Sequence, residues 1–541
     1  MRRLTSLALL LTAASAAVIA MTAAASAAPY AAIVAPPRSA GLTDLGRVGA
    51  AQPITLSVVM RFRNDAQLDQ FVDAVSDPSS PFFRHFLTSA QFRAAFAPSA
   101  QAERQVTGLL TRAGFSVSAS PDGTILHARA SAAVVERYFN TRIDAVRQAG
   151  ASGIRYANVT PAYVPGALGG AVRDVIGFDD LHGPTTDHIL AKSDGLPDKL
   201  GPPLKGPRGG YGPFAIAQAY NYPVQHGFGG HGQAVAIAID YDSSDNDLNA
   251  FTAYFNIQRK GKVVHVPVDG GQPYDPNNSV ESTLDTETVG AMDPGADMYV
   301  YNFGAAFTWT EITDAYAKAV SDDLAEVVSS SFGLCEDDVA QSVIDTITTI
   351  TKEGAAEGIS FVASTGDFGR GGKCADGTGQ DVPAVTRYFT SVGGVDPSID
   401  ANGNLISQHE DSGSGGGPSD IFPIPHYQVG LAGVFSTTTR NIPDVSGPYF
   451  PDAFYLNGNW GVIGGTSWAA PATAAFLGQV DQVEGSRVGF ANPSLYRTFK
   501  LHGYLIYTDV VSGNNGIPCL TGYDDCSGIG SILGLQLARR I

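Results

Sequence analysis

Short apolar strands that alternate with helical segments constrain the C-terminal part of this chain more than any other feature. Apolar runs of strand length occupy residues 234–239, 298–301, 326–329 and 359–363. Helical patterns cover residues 283–292, 308–320 and 339–357. Strands buried on both faces have this apolar character, and their alternation with helices is typical of a doubly wound parallel sheet. The sequence therefore predicts a large α/β domain over residues 213–541, with functional groups at the carboxyl ends of its strands.

The preceding block, residues 28–182, has a different order of elements. Its pattern is strand, helix, helix, strand, helix, at residues 54–62, 65–75, 100–113, 125–130 and 132–139. That order is typical of a smaller α/β domain with an antiparallel, ferredoxin-like sheet. Residues 183–212, rich in Gly, Pro and charge, show no periodicity. We expect them to form an exposed linker that is open to proteolytic processing.

Residues 1–27 have the character of a secretory signal. Arg2 and Arg3 precede a largely apolar stretch at 4–20, and the small residues 25–27 fit a cleavage site. No later apolar run approaches the roughly 18 residues that a membrane-spanning helix needs. The sequence therefore predicts a secreted, extracellular protein without a membrane partner.

The charge of the chain is unevenly distributed. The net charge is −18, and residues from Lys205 onward hold 16 Lys and Arg against 37 Asp and Glu. So few basic residues in the larger part argue against nucleic acid as a partner. The mildly basic front part and the acidic remainder either attract each other or are independently soluble surfaces.

Four cysteines fall into two couples. Cys335 and Cys374 lie mid-chain, and Cys519 and Cys526 lie close together near the C-terminus. An exported protein favours disulfides, so we expect pairing within each couple. Four cysteines allow three connectivities, and free or buried thiols are the alternative.

The stretch from Gly464 to Pro471, GGTSWAAP, is the clearest chemical signal in the chain. Its glycine pair allows a sharp turn, and the small residues after Ser467 predict a helix start. A hydroxyl at the positive end of a helix is well placed for a reaction that develops an oxyanion. Ser467 is therefore a candidate nucleophile.

Carboxylates are better candidates than histidines for the base that such a serine needs. Glu281 and Asp285 are four residues apart, hence on one helix face, and two close carboxylates share a proton. Such a pair can accept a serine proton at acid pH; the alternative is a solvated acidic face that also holds Glu287. Asp367 lies between two glycines in the segment directly after an apolar strand. It either faces a ligand or forms a turn. His231 is the candidate base if the enzyme depends on histidine instead.

In this order, the motifs resemble those of the sedolisins, the serine-carboxyl peptidases, and their kumamolisin-like branch. The resemblance spans nearly the whole chain. It rests on the front-block motif at 77–99, Ala-Tyr-Asn-Tyr-Pro at 219–223, Glu281 and Asp285 with 291–296, Gly-Asp-Phe-Gly at 366–369, and Gly-Gly-Thr-Ser at 464–467. The front block would then be an activation prodomain that covers the active site as an intramolecular inhibitor.

The resemblance also implies residue roles. Ser467 would be the nucleophile, Glu281 the general base and then acid, and Asp285 the partner that holds the shared proton. Asp367, in protonated form, and the Ser467 N–H would be the oxyanion-hole donors. Asp240 stands where relatives have a longer acid that extends the proton network. Phe332 replaces a family tryptophan and keeps only its packing role, and residues 412–418 resemble a glycine-rich substrate-binding strand or else form a flexible linker.

One structural Ca²⁺ ion is implied by the same resemblance. Asp509 and Asp524 would supply carboxylates, and Val510, Leu520 and Gly522 main-chain carbonyls, which suits a hard cation with about six oxygen ligands. Two ordinary loop aspartates are the alternative.

The function implied is a secreted, acid-acting serine endopeptidase made as a zymogen, which acts as a monomer on protein or peptide substrates. Self-cleavage in the linker is expected at acid pH, where protonation of interface carboxylates would loosen the prodomain. The alternatives are a tripeptidyl exopeptidase of the same family, a histidine-dependent subtilisin-like enzyme, and an inactive secreted binding protein on this fold.

Overall fold

A computed structural model describes residues 30–541 except 39–40, 152, 182, 191–203, 305 and 375–376. The predicted signal segment, residues 1–27, lies outside the described residues. So does the middle of the predicted linker. Within the described residues, no helix is both long enough and apolar enough to cross a membrane.

The front domain is a small α/β unit. Its strands are β1 (Tyr30–Val34), β2 (Leu42–Arg47), β3 (Pro53–Met60), β4 (Ser116–Ala119), β5 (Ile125–Ser131), β6 (Ile143–Gln148), β7 (Arg155–Asn158), β8 (Ala162–Pro165) and β9 (Val172–Ile176). Its helices are α1 (Asp65–Ser76), α2 (Ser89–Ala95), α3 (Ala100–Ala113) and α4 (Ala132–Tyr138). The main sheet is antiparallel, in the order β4-β5-β3-β9.

Strand β3 shows how this sheet serves two cores. Ile54, Leu56 and Val58, which alternate along the strand, are fully buried in the front domain's own core. Ser57 points to the opposite face, where its hydroxyl donates to Asp314 of the large domain at 3.3 Å. One face of the sheet therefore holds the front domain together, and the other docks it.

The large domain contains the remaining elements. Its strands are β12 (Ala234–Ile239), β13 (Val263–Pro267), β14 (Asp297–Asn302), β15 (Val327–Ser330), β16 (Phe332–Cys335), β17 (Ser360–Ser364), β18 (Asp381–Val382), β19 (Phe389–Ile399), β20 (Leu405–Glu410), β21 (Gly417–Pro423), β22 (Thr439–Ile442), β23 (Val445–Pro448), β24 (Asp452–Leu456), β25 (Asn459–Gly464), β26 (Tyr507–Thr508) and β27 (Ser531–Ile532). Its helices are α5 (Pro213–Ala219), α6 (Asp245–Tyr254), α7 (Val280–Met292), α8 (Trp309–Asp322), α9 (Gln341–Glu357), α10 (Thr466–Glu484), α11 (Asn492–His502) and α12 (Gly534–Ala538).

A parallel-dominated sheet forms the centre of this domain. In the described chain its strands run β13-β14-β12-β15-β17-β19-β23-β27-β26, and β20 pairs with β19. Pairs from β13 to β27 along this path are parallel. The chain order reverses at β12, whose two neighbours are β14 and β15, and such a switch point opens a crevice at the strands' carboxyl ends. The predicted fold class is confirmed: a doubly wound α/β domain preceded by a smaller antiparallel α/β domain.

The linker differs from the exposed segment that its composition predicts. Its described part contains β10 (Thr185–Thr186) and β11 (Ile189–Leu190), which pair antiparallel with β16 and β25 of the large domain. Asp187 between them is 1% exposed. An aperiodic segment satisfies its main-chain groups by pairing with strand edges, and sequence periodicity cannot report such pairing.

Both predicted disulfides are present. Cys335 and Cys374 are bonded, as are Cys519 and Cys526. The first bond joins the end of β16 to the loop after β17, and the second closes a C-terminal loop.

The front domain docks on α9 of the large domain. The Leu87 N–H donates to the Ala356 carbonyl at the end of α9, 3.0 Å away. The Lys352 ammonium lies 2.7 Å from Asp65 and 2.9 Å from Asp69 on α1, and Arg84 pairs with Glu484 at 3.3 Å. Each domain therefore contributes both a cation and an anion to the interface. The contact is not a simple attraction between a basic front domain and an acidic large domain.

Candidate active site

Ser467 lies at the start of α10, immediately after the glycine pair. Gly465 has a φ of 119°, a region that only glycine adopts easily. A Cβ atom on Gly464 would stand 2.5 Å from the Tyr449 carbonyl oxygen. Both glycines are thus required for the turn from β25 into α10, and that turn places Ser467 in the first turn of a long helix.

Glu281 and Asp285 lie on α7, which packs against α10. The two side chains are 1% and 0% exposed, and Glu287 is 1% exposed. The alternative of a solvated acidic helix face therefore does not hold. Burial raises the pKa of Glu281, although its contacts with His188 and Ser467 oppose that rise. Burial and the charge of Glu281 raise the pKa of Asp285 well above its usual value.

Ser331, at the end of β15, links the carboxylates to the serine. Its hydroxyl donates to Asp285 Oδ1 at 2.8 Å and lies 3.5 Å from the Ser467 carbonyl oxygen. Pro471 has no N–H to donate to that carbonyl, four residues earlier in the helix. Ser331 is the last of three consecutive serines at the end of β15, and this position at a strand end is the sequence signal that could have identified it. Its hydrogen bond to Asp285 was not predicted.

Asp367 faces Ser467 from the loop after β17. Its Oδ1 accepts hydrogen bonds from the Thr466 N–H at 2.8 Å and the Thr466 hydroxyl at 2.9 Å. Its Oδ2 is buried and has no hydrogen-bond partner among the described residues. Burial, together with the charge of Asp187, raises the pKa of Asp367 well above its usual value. A protonated Oδ2 is able to donate a hydrogen bond.

The linker runs through this site as an extended chain. The Asp187 carbonyl accepts from the Ser467 N–H at 3.0 Å, and the Asp187 N–H donates to the Ser331 carbonyl at 3.3 Å. A Cβ atom on Gly465 would stand 2.4 Å from both the Asp187 carbonyl oxygen and Asp367 Oδ2. The carbonyl of Asp187 therefore lies close to both groups that sequence analysis assigns to an oxyanion hole.

His188 is a site residue that sequence analysis missed. Its Nδ1 lies 2.5 Å from Glu281 Oε2. Burial would lower the pKa of His188, but the hydrogen bond and charge of Glu281 outweigh burial and raise it. No local pattern marks this histidine, because it lies in the linker, 93 residues before its partner.

Two further residues named from the sequence lie around the crevice. Asp240 follows β12, and burial raises its pKa to about 6, with a further contribution from the charge of Glu281. Phe332 is fully buried and packs edge-on against Phe303 and Phe307.

The glycine-rich stretch at 412–418 packs against the loop that carries Asp367. The Gly415 N–H donates to the Gly366 carbonyl at 2.8 Å. A Cβ atom on Gly415 would stand 2.0 Å from the Thr365 carbonyl oxygen. This close approach of two main chains accounts for the glycines better than a flexible linker does.

His231 lies at the other edge of the sheet. It is exposed and precedes β12, whereas Asp240 at the site follows it. A strand of six residues spans about 20 Å. The structure therefore does not bring His231 to Ser467.

Of the predicted calcium ligands, Leu520, Gly522 and Asp524 lie in the C-terminal loop closed by Cys519 and Cys526, whereas Asp509 and Val510 precede that loop along the chain. Asp509 Oδ1 is buried without a hydrogen-bond partner in the described chain, as expected of an oxygen that binds a cation. Asp509 Oδ2 accepts from the Gly522 N–H at 3.1 Å. The Asp524 carboxylate already accepts several hydrogen bonds, including the Leu520 N–H at 2.5 Å and the Ser527 N–H at 2.9 Å. The predicted site fits a cation chiefly through Asp509, which keeps one carboxylate oxygen unpaired among the described residues.

Comparison with known proteins adds independent findings. Residues 40–181 match the family model "Pro-kumamolisin, activation domain", and residues 216–502 match the model "Subtilase family". Kumamolisin from Bacillus sp. (strain MN-32) is 28% identical over 542 residues, covering 92% of this chain and 93% of that protein. Tripeptidyl-peptidase 1 from Pan troglodytes is 27% identical over 540 residues, covering 91% of this chain and 90% of that protein.

A solved structure shows the same fold. Pseudomonas sedolisin, a serine-carboxyl proteinase complexed with two molecules of pseudo-iodotyrostatin, aligns with a TM-score of 0.55 at 24% identity. The alignment covers 61% of this chain and 97% of that one.

Proposed function

Because the chain belongs to the subtilase family, as a sedolisin-type serine-carboxyl peptidase with a pro-kumamolisin activation domain, we propose that it is a secreted, acid-acting endopeptidase made as a zymogen. Its domains would be a signal peptide (1–27), a prodomain (28–182), a processing linker (183–212) and the peptidase domain (213–541). One observation supports this proposal most strongly. The chain's own linker lies across Ser467, with its Asp187 carbonyl on the Ser467 N–H at 3.0 Å.

Ser467 would act as the nucleophile. Its hydroxyl oxygen attacks the substrate carbonyl carbon while Glu281 takes the hydroxyl proton. The peptide C–N bond then breaks, and Glu281 returns the proton to the leaving amine. A water molecule hydrolyses the acyl-enzyme by the same route, which frees the serine.

Asp285 would hold the proton that the carboxylate pair shares. Glu281 Oε1 and Asp285 Oδ2 are both buried without a hydrogen-bond partner in the described part of the chain. Two adjacent carboxyls in such surroundings are best satisfied with one proton between them. The hydrogen bond from Ser331 to Asp285 orients this pair.

Asp367 and the Ser467 N–H would stabilise the oxyanion. Asp367 donates only when protonated, and its raised pKa keeps it so at acid pH. Removal of one donor of this kind typically costs about 100- to 1,000-fold in kcat.

Two features support an endopeptidase over a tripeptidyl exopeptidase. The linker continues on both sides of Asp187, and β10 and β11 pair with the large domain on either side of it. A cleft that accepts chain in both directions suits cleavage within a polypeptide. The front domain would act as the intramolecular inhibitor, and the working enzyme would be a monomer.

A structural Ca²⁺ ion would be held by Asp509 and Asp524 with the carbonyls of Val510, Leu520 and Gly522. When bound, it would cross-link the C-terminal loop and add no chemistry to peptide hydrolysis.

The test compares the full-length wild-type chain with Ser467→Ala after a shift from neutral to acid pH. We expect the wild type to self-process and then cleave end-blocked peptides, which an exopeptidase leaves intact. The Ser467→Ala chain should remain whole. Self-processing of purified Ser467→Ala, or cleavage restricted to peptides with a free amine, would contradict the proposal.

A further inference from the structure

We propose that a lysine pocket beside Ser467 makes this peptidase select an acidic side chain, Asp or Glu, on the acyl side of the bond that it cuts. The pocket is formed by Lys373 and Ser364. The inference rests on the proposed function and names the substrate class of that same site.

The linker shows which side chain enters the pocket. The Asp187 carbonyl lies on the Ser467 N–H, so Asp187 holds the position of the residue whose carbonyl is attacked. His188, with its Cα 3.0 Å from the position of a Cβ on Gly465, follows on the leaving side. The Asp187 side chain therefore marks the subsite for the acyl-side residue.

The pocket binds the Asp187 carboxylate through both oxygens. Lys373 Nζ lies 2.6 Å from Oδ1, and the Ser364 hydroxyl donates to Oδ2 at 2.9 Å. The side chains of Lys373 and Asp187 are 10% and 0% exposed. Charge-assisted hydrogen bonds shielded from water are the strong ones, so this contact is specific to a carboxylate.

The remaining donors of Lys373 fix it in place. Its ammonium also donates to the Thr185 carbonyl at 2.7 Å and the Gly333 carbonyl at 2.8 Å. Gly333 belongs to β16, whereas Thr185 belongs to the bound linker. The ammonium thus bridges the sheet edge, the main chain of the occupant and its acidic side chain.

Other charged groups around the pocket leave the lysine charge available to a substrate. Asp381 Oδ1 accepts from the main-chain N–H of Lys373 at 2.9 Å, and burial raises the pKa of Asp381 to about 7 despite the opposing effect of Lys373. Burial likewise raises the pKa values of Glu336 and Asp367, two other acids near the pocket. Because their pKa values are raised, these carboxyls lose their charge at a higher pH than exposed carboxylates do. As pH falls, an ionised substrate carboxylate therefore becomes the main counter-charge of Lys373.

An apolar or amide side chain would bind this pocket poorly. It would leave a buried ammonium without its anion, and an unpaired buried charge costs more than the pair contributes when formed. We therefore expect kcat/KM to fall by about 10- to 100-fold when Asp is replaced by Asn or Leu, in line with the usual strength of a hydrogen bond to a charged group.

The first substrate of the pocket would be the chain itself, at the bond between Asp187 and His188. The Ser467 oxygen would form an ester with the Asp187 carbonyl carbon, and the C–N bond to His188 would break. Glu281 would pass the serine proton to the His188 amine. Water would then release Asp187 with a new carboxyl group and restore the hydroxyl of Ser467.

The test uses self-processed enzyme and end-blocked peptides that differ only in the acyl-side residue: Asp, Glu, Asn or Leu. At pH 5, above the usual pKa of a free Asp or Glu of about 4, we expect Asp and Glu peptides to be cut at least 10-fold faster than the others. Lys373→Met should reduce cleavage of the acidic peptides and preserve or improve cleavage of the Leu peptide, while Lys373→Arg should keep the acidic preference.

The outcomes separate this inference from the proposed function. Equal cleavage of all four peptides, or a preference for Asp that survives in Lys373→Met, would contradict the proposed acidic specificity. Neither result would contradict the proposed peptidase activity. The same preference can be tested without any variant. Mass spectrometry would identify the bonds that the wild type cuts in a denatured protein, and most should follow Asp or Glu. Failure to cut any peptide or protein at any pH would contradict the proposed function itself.

Discussion

Glu281 has two partners in this structure, and they compete for it. His188 Nδ1 lies 2.5 Å from Glu281 Oε2, while the hydroxyl of Ser467 lies close enough to lower the pKa of the same carboxyl. A base that is paired with a linker histidine is less able to take the serine proton. If Glu281 is the base, His188 would therefore restrain cleavage of the linker in which it lies.

The pH range of this restraint follows from the two pKa directions. The ion pair requires a protonated His188 and an ionised Glu281, and the pKa of each is raised. The pair is lost as pH falls through the raised pKa of Glu281. Its charge is also lost as pH rises through the raised pKa of His188. The ion pair is therefore complete only where Glu281 is ionised and His188 is protonated.

We predict that His188→Ala makes the full-length precursor self-cleave faster at pH 6–7, by about 10-fold if one charge-assisted hydrogen bond is lost. The gain should shrink at pH values low enough to protonate Glu281, where the wild-type ion pair is lost. Electrophoresis of the precursor over time measures the rate. His226→Ala, an exposed histidine away from the site, is the control. A His188→Ala precursor as stable as wild type at pH 6–7 would exclude this role.

Single residues also show where sequence reasoning works. Ser467, Glu281, Asp285 and Asp367 each belong to a local motif, and the structure places them around one crevice. Asp187, His188 and Lys373 belong to no such motif. Their importance arises from a linker that returns to the sheet edge, which is a long-range contact that local spacing does not encode.

At the scale of elements, periodicity predicts most of the fold. The helix expected at 100–113 is α3, and the strand expected at 234–239 is β12. Buried helices carry a weaker sequence signal. Helix α7 is buried all round, including its acids, whereas its sequence leaves a solvated acidic face open as the alternative to a carboxylate pair. Two-residue strands such as β10 and β11 carry no periodic signal at all.

The C-terminal loop is the element in which metal removal should be visible. We predict that a chelator lowers the Tm of the Ser467→Ala chain. Occupancy at 100 times Kd contributes about 2.7 kcal/mol. Asp509→Asn should lower the Tm and abolish the response to the chelator, as followed by calorimetry. Asp400→Asn, at a partly exposed turn, should retain the response. A chelator effect that persists in Asp509→Asn would place the ion elsewhere.

At the scale of the whole molecule, the interface between the domains responds to pH in two directions. Burial raises the pKa of Glu357 to about 8 and that of Glu353 well above its usual value. Such acids favour the docked state at low pH and disfavour it as pH rises toward the folded-state pKa. They therefore oppose the acid loosening that sequence analysis expects of interface carboxylates.

Asp65 weakens docking of the domains at low pH, which is the expected direction, but it does so only over a narrow pH range. Its burial would raise its pKa, yet the contacts with Lys352 and Arg173 lower it below 3.8. Its contribution to docking is present above that value and is lost only as pH falls through the lowered pKa.

The proposed peptide hydrolysis depends on a carboxylate acting as the base for Ser467. The most direct test is cleavage of a denatured protein from strongly acid to mildly alkaline pH, by self-processed wild type, Glu281→Gln and Glu287→Gln. Glu287 is equally buried on the same helix but contacts the main chain of Tyr455. We predict activity confined to acid pH in the wild type, lost by at least 100-fold in Glu281→Gln and kept in Glu287→Gln. If Glu281→Gln does not self-process, the precursor can be cleaved in trans by wild type. Neutral activity that survives Glu281→Gln would contradict the carboxylate–serine mechanism.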